Sequence, residues 1–395
     1  MNLLAAIPSP STNVLKIGPV PLHVYGLMIA LGVVAAVWVC RWRWRSWGND
    51  PDEITDMAYW AVPGGLIGAR LYHVATDFNR LYVHNLSGIP KIWDGGLGIP
   101  GGILGGVLVG YVYAKRKHMY VPDLLDMVAP AFPLAQAIGR WGNYFNQELY
   151  GRPTTLPWGL KIDVAHRGNL PPAYLAATTF HPTFLYEMIW NLVLVGVLLG
   201  LDSHRNKGGL LPTWIVASFY AMFALGFGLD TLLVVQRQTG LGPVIQATLF
   251  VVGAVLGALL VHWITRIDRR GPYRRGDLFW LYIAGYFLGR LWVESLRIDT
   301  ANLILGLRLN EWTALLAGAG ALLILFVRRH RPGVRPIEPP VPVDELATAP
   351  AADAAADRGA VVEDGAEPSP PVDEGVAEKT PTTEVADREA APPDS

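Results

Sequence analysis

The chain alternates between long apolar stretches and short polar connections, and this pattern predicts a bundle of membrane-spanning helices. A helix needs roughly 20 apolar residues to cross the hydrocarbon layer. Because the apolar runs are continuous rather than alternating, a membrane β-barrel fits poorly. The predicted fold class is an all-α polytopic membrane protein with about nine transmembrane helices. The nine runs lie at about 22–40, 57–75, 97–114, 122–138, 183–201, 210–233, 244–264, 277–296 and 311–327.

Composition argues against an ordinary soluble globule, and it changes abruptly near residue 332. Hydrophobic residues make up 51% of the chain and charged residues only 16%, a balance that suits a lipid environment. From residue 332 onward Pro, Ala, Glu, Asp and Thr dominate, and such a segment cannot bury enough apolar area to offset its ordering entropy. We therefore expect a transmembrane domain over residues 1–331 and a disordered, acidic, Pro/Ala-rich cytoplasmic tail over residues 332–395.

The basic residues set a predicted orientation, because they cluster in the connections that follow odd-numbered runs. The positive-inside rule places these connections in the cytoplasm, so the N-terminus is expected outside and the C-terminus inside. Residues 1–21 lack a basic n-region and contain several prolines, so they do not resemble a cleavable signal. Since the basic residues flank membrane runs, no nucleic-acid partner is expected. The clusters surround Arg43, Lys115–Lys117, Arg205, residues 266–275 and residues 328–331.

Ionisable residues within two predicted spans point to an anion site. Tyr286, Arg290, Glu294 and Arg297 are spaced by four, four and three residues, which places them along one helical face. A charge at this depth costs roughly 2.5–3.5 kcal/mol on insertion scales. A structural ion pair between Arg290 and Glu294 is the simpler alternative. The row nevertheless holds one more arginine than its glutamate neutralises, and Arg70 adds positive charge. A lipid phosphate is therefore the expected partner.

The outer end of the fourth run supplies a second polar group. Residues 139–153 combine Arg140 and Glu148 with Asn143 and Asn146. Glycines and asparagines suit a backbone that turns back at the interface and lines a polar cavity. The alternative is an ordinary entrance to an extracellular loop.

Taken together, these motifs resemble the bacterial phosphatidylglycerol–prolipoprotein diacylglyceryl transferase family. The resemblance extends from about His23 to Leu325, and its strongest part is the run from Gly139 to Arg152, which is similar to the family's signature. The motifs occur in the expected order. They are His23-Val-Tyr25-Gly26, Gly-Ala-Arg70-Leu-Tyr72, Trp93-Asp-Gly-Gly96, Gly139-Arg-Trp-Gly-Asn-Tyr-Phe-Asn-Gln-Glu-Leu-Tyr-Gly-Arg152, His181-Pro-Thr-Phe-Leu-Tyr-Glu187 and Arg290-Leu-Trp-Val-Glu-Ser-Leu-Arg297.

The resemblance implies a reaction and a set of partners. In the family, the diacylglyceryl group of phosphatidylglycerol passes to the lipobox cysteine of an exported prolipoprotein, and glycerol phosphate leaves. The site is expected toward the outer leaflet of the bacterial cell membrane. No metal or cofactor is expected, since the sequence shows no clustered His/Cys/Asp ligand set.

The resemblance and the residue chemistry together assign the site residues. Arg70 and Arg297 are expected to support phosphate binding through their charge, and Tyr25 and His23 lie at the outer start of the first span. The predicted catalytic residues are Arg140, Arg290, Glu148, Glu294 and Tyr286. The predicted phosphatidylglycerol-binding residues are Arg140, Asn143, Asn146, Gly151, Arg70, Arg297, Tyr25 and His23.

The chemistry explains why arginines are expected. Negative charge grows on the phosphate as the carbon–oxygen bond breaks, and preorganised guanidinium groups stabilise that charge. A free thiol has a pKa of about 8.5, so a base would help, although the arginine field could lower the thiol pKa directly. Glu148 and Glu294 are the candidate bases, and Tyr286 is a candidate proton relay. His23 and His181 are further candidate bases, although a structural hydrogen-bonding role is the simpler interpretation of each.

Two departures from the family leave alternatives open. Pro100 replaces a histidine that many relatives carry and that has been considered a candidate base. Relatives usually have seven spans, so residues 210–264 read as an inserted pair, and an even number preserves the sidedness of later helices. A catalytically altered or inactive relative therefore stays possible. A transporter is the other alternative, although it would be expected to show related halves, and no convincing repeat is present.

Overall fold

The described part of the chain is mostly helical. The computed structural model describes residues 6–18, 20–83, 85–92, 95–167, 170, 174–205 and 274–330, with residues 248, 255 and 257. Its helices are α1 Val24–Ser46, α2 Asp52–Asp77, α3 Ile99–Arg116, α4 Val121–Val128, α5 Ala131–Asn146, α6 Thr183–Arg205, α7 Asp277–Leu296 and α8 Leu309–His330. Its two-stranded antiparallel sheets are β1 Val14–Ile17 with β2 Val20–His23, β3 Leu160–Lys161 with β4 Thr179–Phe180, and β5 Leu303–Ile304 with β6 Leu307–Arg308.

Three of the described helices are long and apolar enough to cross a membrane. These segments are Val24–Ser46, Thr183–Ser203 and Leu309–Arg328. The chain is thus consistent with an all-α membrane protein, and the number of nine spans stays a prediction. The predicted inserted pair at 210–264, apart from residues 248, 255 and 257, and the predicted tail at 332–395 lie outside the described residues.

The predicted fourth span is two helices rather than one. The chain breaks between α4 and α5, where Pro130 lacks the N–H that would bond to the carbonyl of Asp126. The guanidinium group of Arg43 donates hydrogen bonds to the carbonyls of Asp126 and Met127 instead. A buried arginine from α1 therefore compensates for the interrupted helix.

The predicted reversal of the backbone within residues 139–153 lies in the second half of that segment. Residues 139–146 are helical to the end of α5, and the reversal comes at Gln147 and Leu149, whose φ angles are 53° and 58°. Gly142 serves packing instead of a turn, because a Cβ there would collide with the ring of Tyr25 on α1. The glycine lets α1 and α5 approach closely.

Charged residues join several helices at one end of the bundle, which we call the basic end. Arg43 pairs with Asp202 near the end of α6 at 3.0 Å. Asp126 is fully buried and accepts backbone N–H groups at the start of α7, from Gly276 at 2.7 Å and Leu278 at 2.9 Å. Carboxylate binding to a helix N-terminus is favourable. The opposite end, which we call the site end, therefore contains the C-termini of α5 and α7 and the N-termini of α6 and α8.

The contact between α6 and α7 sets which residues face one another at the site end. The indole N–H of Trp190 donates to the carbonyl of Gly285 at 2.9 Å. Its ring fills the space where a Cβ of Gly289 would lie. Trp190 follows Glu187 by about one helical turn, and Gly289 directly precedes Arg290. The packing of one tryptophan against a glycine groove thus brings this glutamate to this arginine.

Replacing Gly289 with alanine is expected to destabilise the fold by about 1–3 kcal/mol, because the added methyl group overlaps the Trp190 ring. Thermal unfolding of the purified protein in detergent measures this effect. Gly196→Ala on α6 is the matched control, since a Cβ there meets nothing within 4 Å. It should leave stability unchanged or raise it by about 0.5–1 kcal/mol. Equal unfolding temperatures for both variants would contradict the groove interpretation.

Candidate active site

Two arginines from separate helices share one buried carboxylate at the site end. Glu187 lies in the first turns of α6 and forms ion pairs with Arg140 of α5 and Arg290 of α7, with nitrogen–oxygen distances of 2.6 Å and 3.1 Å. Only 5% of the Glu187 side chain is exposed, against 19% and 15% for the two arginines. Screening by water is weak at such depth, so these charges interact strongly. One carboxylate therefore fixes the two guanidinium groups near each other.

Glu294 lies at the centre of a second ionic group. Its side chain is fully buried, and it accepts Arg290 at 2.8 Å and Arg297 at 3.2 Å. Arg308 contributes a further ion pair at 2.8 Å, and the amide of Asn310 donates at 3.1 Å. Four donors surround this one carboxylate, which is the arrangement that a buried charge requires.

Asp299 completes the second group. Its carboxylate forms a bidentate ion pair with Arg297, in which both nitrogen–oxygen distances are 2.8 Å. It also forms an ion pair with Arg308 at 2.9 Å. Burial acts to raise the pKa of Asp299, but hydrogen bonds and charge from Arg297 and Arg308 outweigh it and hold the pKa below its usual value. Arg297 is the first residue beyond α7 and has extended backbone. The predicted helical row therefore ends at Glu294, although Arg297 still reaches it.

The net charge of the ion pairs around Glu187, Glu294 and Asp299 is closer to zero than the sequence suggested. Four guanidinium groups and three carboxylates form the described ion pairs, and Glu148 approaches this group through the amide of Asn143. The arginine excess counted along one helix is largely met by carboxylates from α6 and from the loop after α7. The arginines are Arg140, Arg290, Arg297 and Arg308, and the carboxylates are Glu187, Glu294 and Asp299.

The end of α5 presents amides and one exposed carboxylate. Arg140 donates to the Asn143 side chain at 3.2 Å, and Asn143 donates to Glu148 at 3.0 Å. Asn146 donates to the same oxygen of Glu148 at 3.2 Å. Glu148 is exposed, whereas Glu294 is fully buried. The two predicted bases thus occupy opposite environments.

Two tyrosines border Arg140. Tyr286 on α7 lies within the electrostatic influence of Arg140, Glu187 and Arg290. Tyr25 on α1 packs against Gly142 of α5 and lies near Glu148, Arg140 and Asn143. Helices α1, α5 and α7 therefore all contribute predicted site residues to one group.

Gly151 lies in the connection between α5 and α6 and joins this connection to the end of α7. Its N–H donates to the carbonyl of His181 at 2.9 Å, and it forms an isolated antiparallel bridge with Arg297. Arg152 extends this contact, with its N–H on the carbonyl of Leu296 at 2.9 Å. A Cβ at Gly151 would lie 2.8 Å from the Cβ of His181 and 3.1 Å from the Leu296 carbonyl. Only glycine fits this close approach, and the described contacts of Gly151 are made by its backbone.

His181 has structural contacts. Burial and the nearby charge of Arg152 lower its pKa to about 4, so the imidazole is neutral near pH 7. Its Nδ1 lies 3.1 Å from the hydroxyl of Tyr186, which accepts the indole N–H of Trp158 at 2.9 Å. A histidine with so low a pKa is a poor proton acceptor at neutral pH. The structural reading of His181 is therefore favoured.

A narrow crevice borders the arginines. Arg140, Asn143, Glu187 and Arg297 line its polar side. Phe184 and Val293 are part of its apolar side. The crevice has essentially no free room for even a water-sized group, so side chains need to move before a phospholipid head group enters.

Two predicted binding residues lie in other surroundings. Arg70 is buried near the end of α2 and donates to the carbonyls of Gly88, Ile89, Gly95 and Gly96 in the loop before α3. Its described contacts organise this loop, and none of them is with the arginines around Glu187 and Glu294. His23 is exposed and pairs with Val14 in the first hairpin, two residues before Tyr25.

Three residues of the ionic group were not among the predicted site residues. Glu187 belongs to the His181–Glu187 motif, and a carboxylate at the start of an apolar span was the signal that could have found it. Asp299 and Arg308 lie in the short connection between α7 and α8. No sequence spacing relates this connection to the arginines, because the β5–β6 hairpin folds it back.

The fold and site together define a helical membrane protein with a buried ionic site at one end of its bundle. The family model described as prolipoprotein diacylglyceryl transferase matches residues 12–256 and 227–327. The chain belongs to this family.

Similar proteins include three phosphatidylglycerol–prolipoprotein diacylglyceryl transferases. The one from Frankia alni is 41% identical over 345 residues, which cover 87% of this chain and 71% of the relative. Transferase 2 of Streptomyces coelicolor is 41% identical over 334 residues, covering 84% of each chain. The relative from Bifidobacterium longum is 37% identical over 344 residues, covering 84% and 88%.

Proposed function

We propose that the protein transfers the diacylglyceryl group of phosphatidylglycerol to the lipobox cysteine thiol of exported prolipoproteins. The sulfur forms a thioether bond to the glycerol carbon, the carbon–oxygen bond breaks, and its electron pair leaves on glycerol phosphate. This reaction is the first step of lipoprotein maturation. The relatives are named for this transfer, and the family does not favour the transporter alternative.

The observation that carries the proposal is the shared Glu187 between Arg140 and Arg290. A single carboxylate holds two guanidinium groups from α5 and α7 in a water-poor site. A phosphate entering beside them competes with Glu187 for the same donors. As the leaving phosphate gains charge, the two arginines stabilise it more than they stabilise the ester, and this difference lowers the barrier.

Among the two predicted bases, the contacts favour Glu148. Glu294 is fully buried, and three arginines and Asn310 already surround it. An incoming thiol has no access to it. Glu148 is exposed and accepts hydrogen bonds from the neutral amides of Asn143 and Asn146. We propose that Glu148 takes the thiol proton and that Glu294 orients Arg290. Pro100 has no proton-accepting group.

The distribution of basic residues supports an orientation. The basic end carries Arg43 and Arg328, and in accordance with the positive-inside rule we propose that it lies in the cytoplasm and that the site end lies toward the outer leaflet. A multi-pass protein of the bacterial cell membrane is proposed, with residues 1–331 as the catalytic domain. Arg70 supports the site indirectly in this proposal, by ordering the loop before α3. His23 contributes at the entrance beside Tyr25.

The test uses the purified full-length chain, phosphatidylglycerol with a labelled diacylglyceryl group and a lipobox peptide. Transfer of the label to the peptide is expected, because the family reaction requires a thiol acceptor. The matched control is the same peptide with serine in place of its cysteine, which should receive no label. A folded protein that labels neither peptide would identify an inactive relative. Label on the serine peptide would contradict the thiol mechanism.

A further inference from the structure

The β5–β6 hairpin has an exposed apolar tip. The hairpin runs Leu303-Ile304-Leu305-Gly306-Leu307-Arg308. The exposed fractions are 66% for Leu303, 49% for Ile304 and 81% for Leu305. Three adjacent large apolar side chains on a connection between two helices form a concentrated apolar surface, in contrast to the scattered apolar residues that are normal on protein surfaces.

The turn between β5 and β6 has a leucine, Leu305, at a position that disfavours this residue type. Ile304 pairs with Leu307, so Leu305 and Gly306 are the two central turn residues, with φ angles of 52° and 81°. A turn with both φ angles positive strongly prefers Asn-Gly or Asp-Gly. Leucine is disfavoured at the first position because its side chain crowds the backbone there. Gly306 follows the preference and Leu305 does not, which indicates that an apolar side chain at the tip has a use of its own.

The hairpin is held against the exposed apolar side of α8. The indole N–H of Trp312 donates to the carbonyl of Ile304 at 2.9 Å. Leu309, Leu316 and Leu323 are exposed by 48%, 67% and 62% and repeat every seven residues along α8. Trp312 lies three residues after Leu309 and four before Leu316, so it belongs to the same face. Since α8 is apolar enough to span a membrane, this face is the one available to lipid.

The foot of the hairpin is fixed to the ionic site. Arg308 ends β6, and its guanidinium group pairs with Glu294 at 2.8 Å and Asp299 at 2.9 Å. Its backbone N–H donates to Glu311 at 2.8 Å. The apolar tip and the polar foot are thus separated within one short hairpin, which matches the change from acyl chains to head groups across a membrane interface.

We propose that Leu303, Ile304 and Leu305 insert into the acyl-chain region of the phospholipid leaflet at the site end. Through Arg308, the inserted hairpin holds Glu294 and its arginines at the depth of the lipid head groups. This inference goes beyond the proposed reaction, because insertion depends on the apolar tip and requires no turnover. The lipobox peptide and a second copy of the chain are the competing occupants that the experiment distinguishes.

The test places an environment-sensitive NBD fluorophore on Leu305→Cys in the full-length protein, reconstituted in phosphatidylglycerol-containing nanodiscs. The single native cysteine of the chain, Cys40, is buried, so the introduced thiol is the one that the label can reach. We expect blue-shifted emission and roughly two-fold or greater quenching by lipids spin-labelled on their acyl chains. Val164→Cys is the matched control, because Val164 is 78% exposed in the loop between α5 and α6. Its label should be quenched by aqueous iodide instead.

A second variant separates insertion from misfolding. The label is placed at Leu303→Cys in a Leu305→Asn background, where asparagine suits the turn geometry. Folding should be preserved while acyl-chain quenching falls roughly two-fold or more. Iodide quenching of the Leu305→Cys label equal to that at residue 164 would overturn the proposal. So would a blue shift that appears only with added lipobox peptide, or only when two copies share a nanodisc.

Discussion

Replacing Arg140 or Arg290 with lysine is expected to lower the rate of diacylglyceryl transfer by about 10²–10³-fold. Lysine keeps the positive charge and the pairing with Glu187 but loses the planar donors that bind a phosphate in two places. The site therefore keeps its balance of charge while the leaving phosphate loses directed hydrogen bonds. The loss should appear in kcat more than in KM, since the missing contacts strengthen as the carbon–oxygen bond breaks.

The measurement is the initial rate of label transfer to the lipobox peptide, with thermal unfolding recorded for each variant. Arg80→Lys is the matched control. Arg80 lies just beyond α2, its side chain is 75% exposed, and it forms an ion pair with Asp77, the last residue of that helix. The Arg80→Lys variant should keep the parent rate. If Arg140→Lys and Arg290→Lys also turned over at the parent rate, these arginines would have no part in stabilising the leaving group.

Replacing Glu294 with alanine is expected to destabilise the protein by about 3–5 kcal/mol, because it removes the buried partner of three guanidinium groups. Asn310 also loses its acceptor. Thermal unfolding in detergent measures the loss. The contrasting variant is Glu148→Gln, which removes an exposed carboxylate and should leave stability within about 0.5 kcal/mol of the parent.

The same pair of variants tests the division of roles between the two glutamates. Glu148→Gln should fold normally and transfer slowly near pH 7, and its rate should rise toward pH 8.5 as more of the thiol ionises without help. A Glu148→Gln protein with the parent's rate and pH profile would exclude Glu148 as the base. A Glu294→Ala protein as stable as the parent would show that the arginines find other counterions.

The helical class and four members of the ionic group, Arg140, Arg290, Glu294 and Arg297, could be predicted because they follow from local sequence. Long apolar runs specify helices, and the helical row Tyr286, Arg290 and Glu294 follows from spacing along α7. Tertiary pairing could not be predicted in the same way. Nothing near Arg140 in the sequence indicates that its counterion is Glu187 on another helix, and a count of charges along α7 alone therefore suggested an excess of arginine.

Arg70 shows the same limit from the other direction. A buried arginine within an apolar run fits a phosphate ligand, and it equally fits a side chain that binds backbone carbonyls. The choice depends on where the loop before α3 folds, and sequence spacing does not contain that information. The break at Pro130 is a milder case, since proline predicts an interrupted helix, whereas the use of Arg43 to satisfy the freed carbonyls depends on the packing of α1 against α4.

The sharing of Glu187 has a consequence for biogenesis. Ribosomes add roughly 5–20 residues each second, and Arg290 follows Glu187 by 103 residues. A newly inserted α5 and α6 thus spend several seconds in the translocon or bilayer before α7 emerges. During that interval we expect Glu187 and Arg140 to neutralise each other as an isolated pair, so that a chain that has not yet acquired its second arginine already has a tolerable charge. The carboxylate that pairs with both arginines in the complete fold would then serve Arg140 alone during membrane assembly.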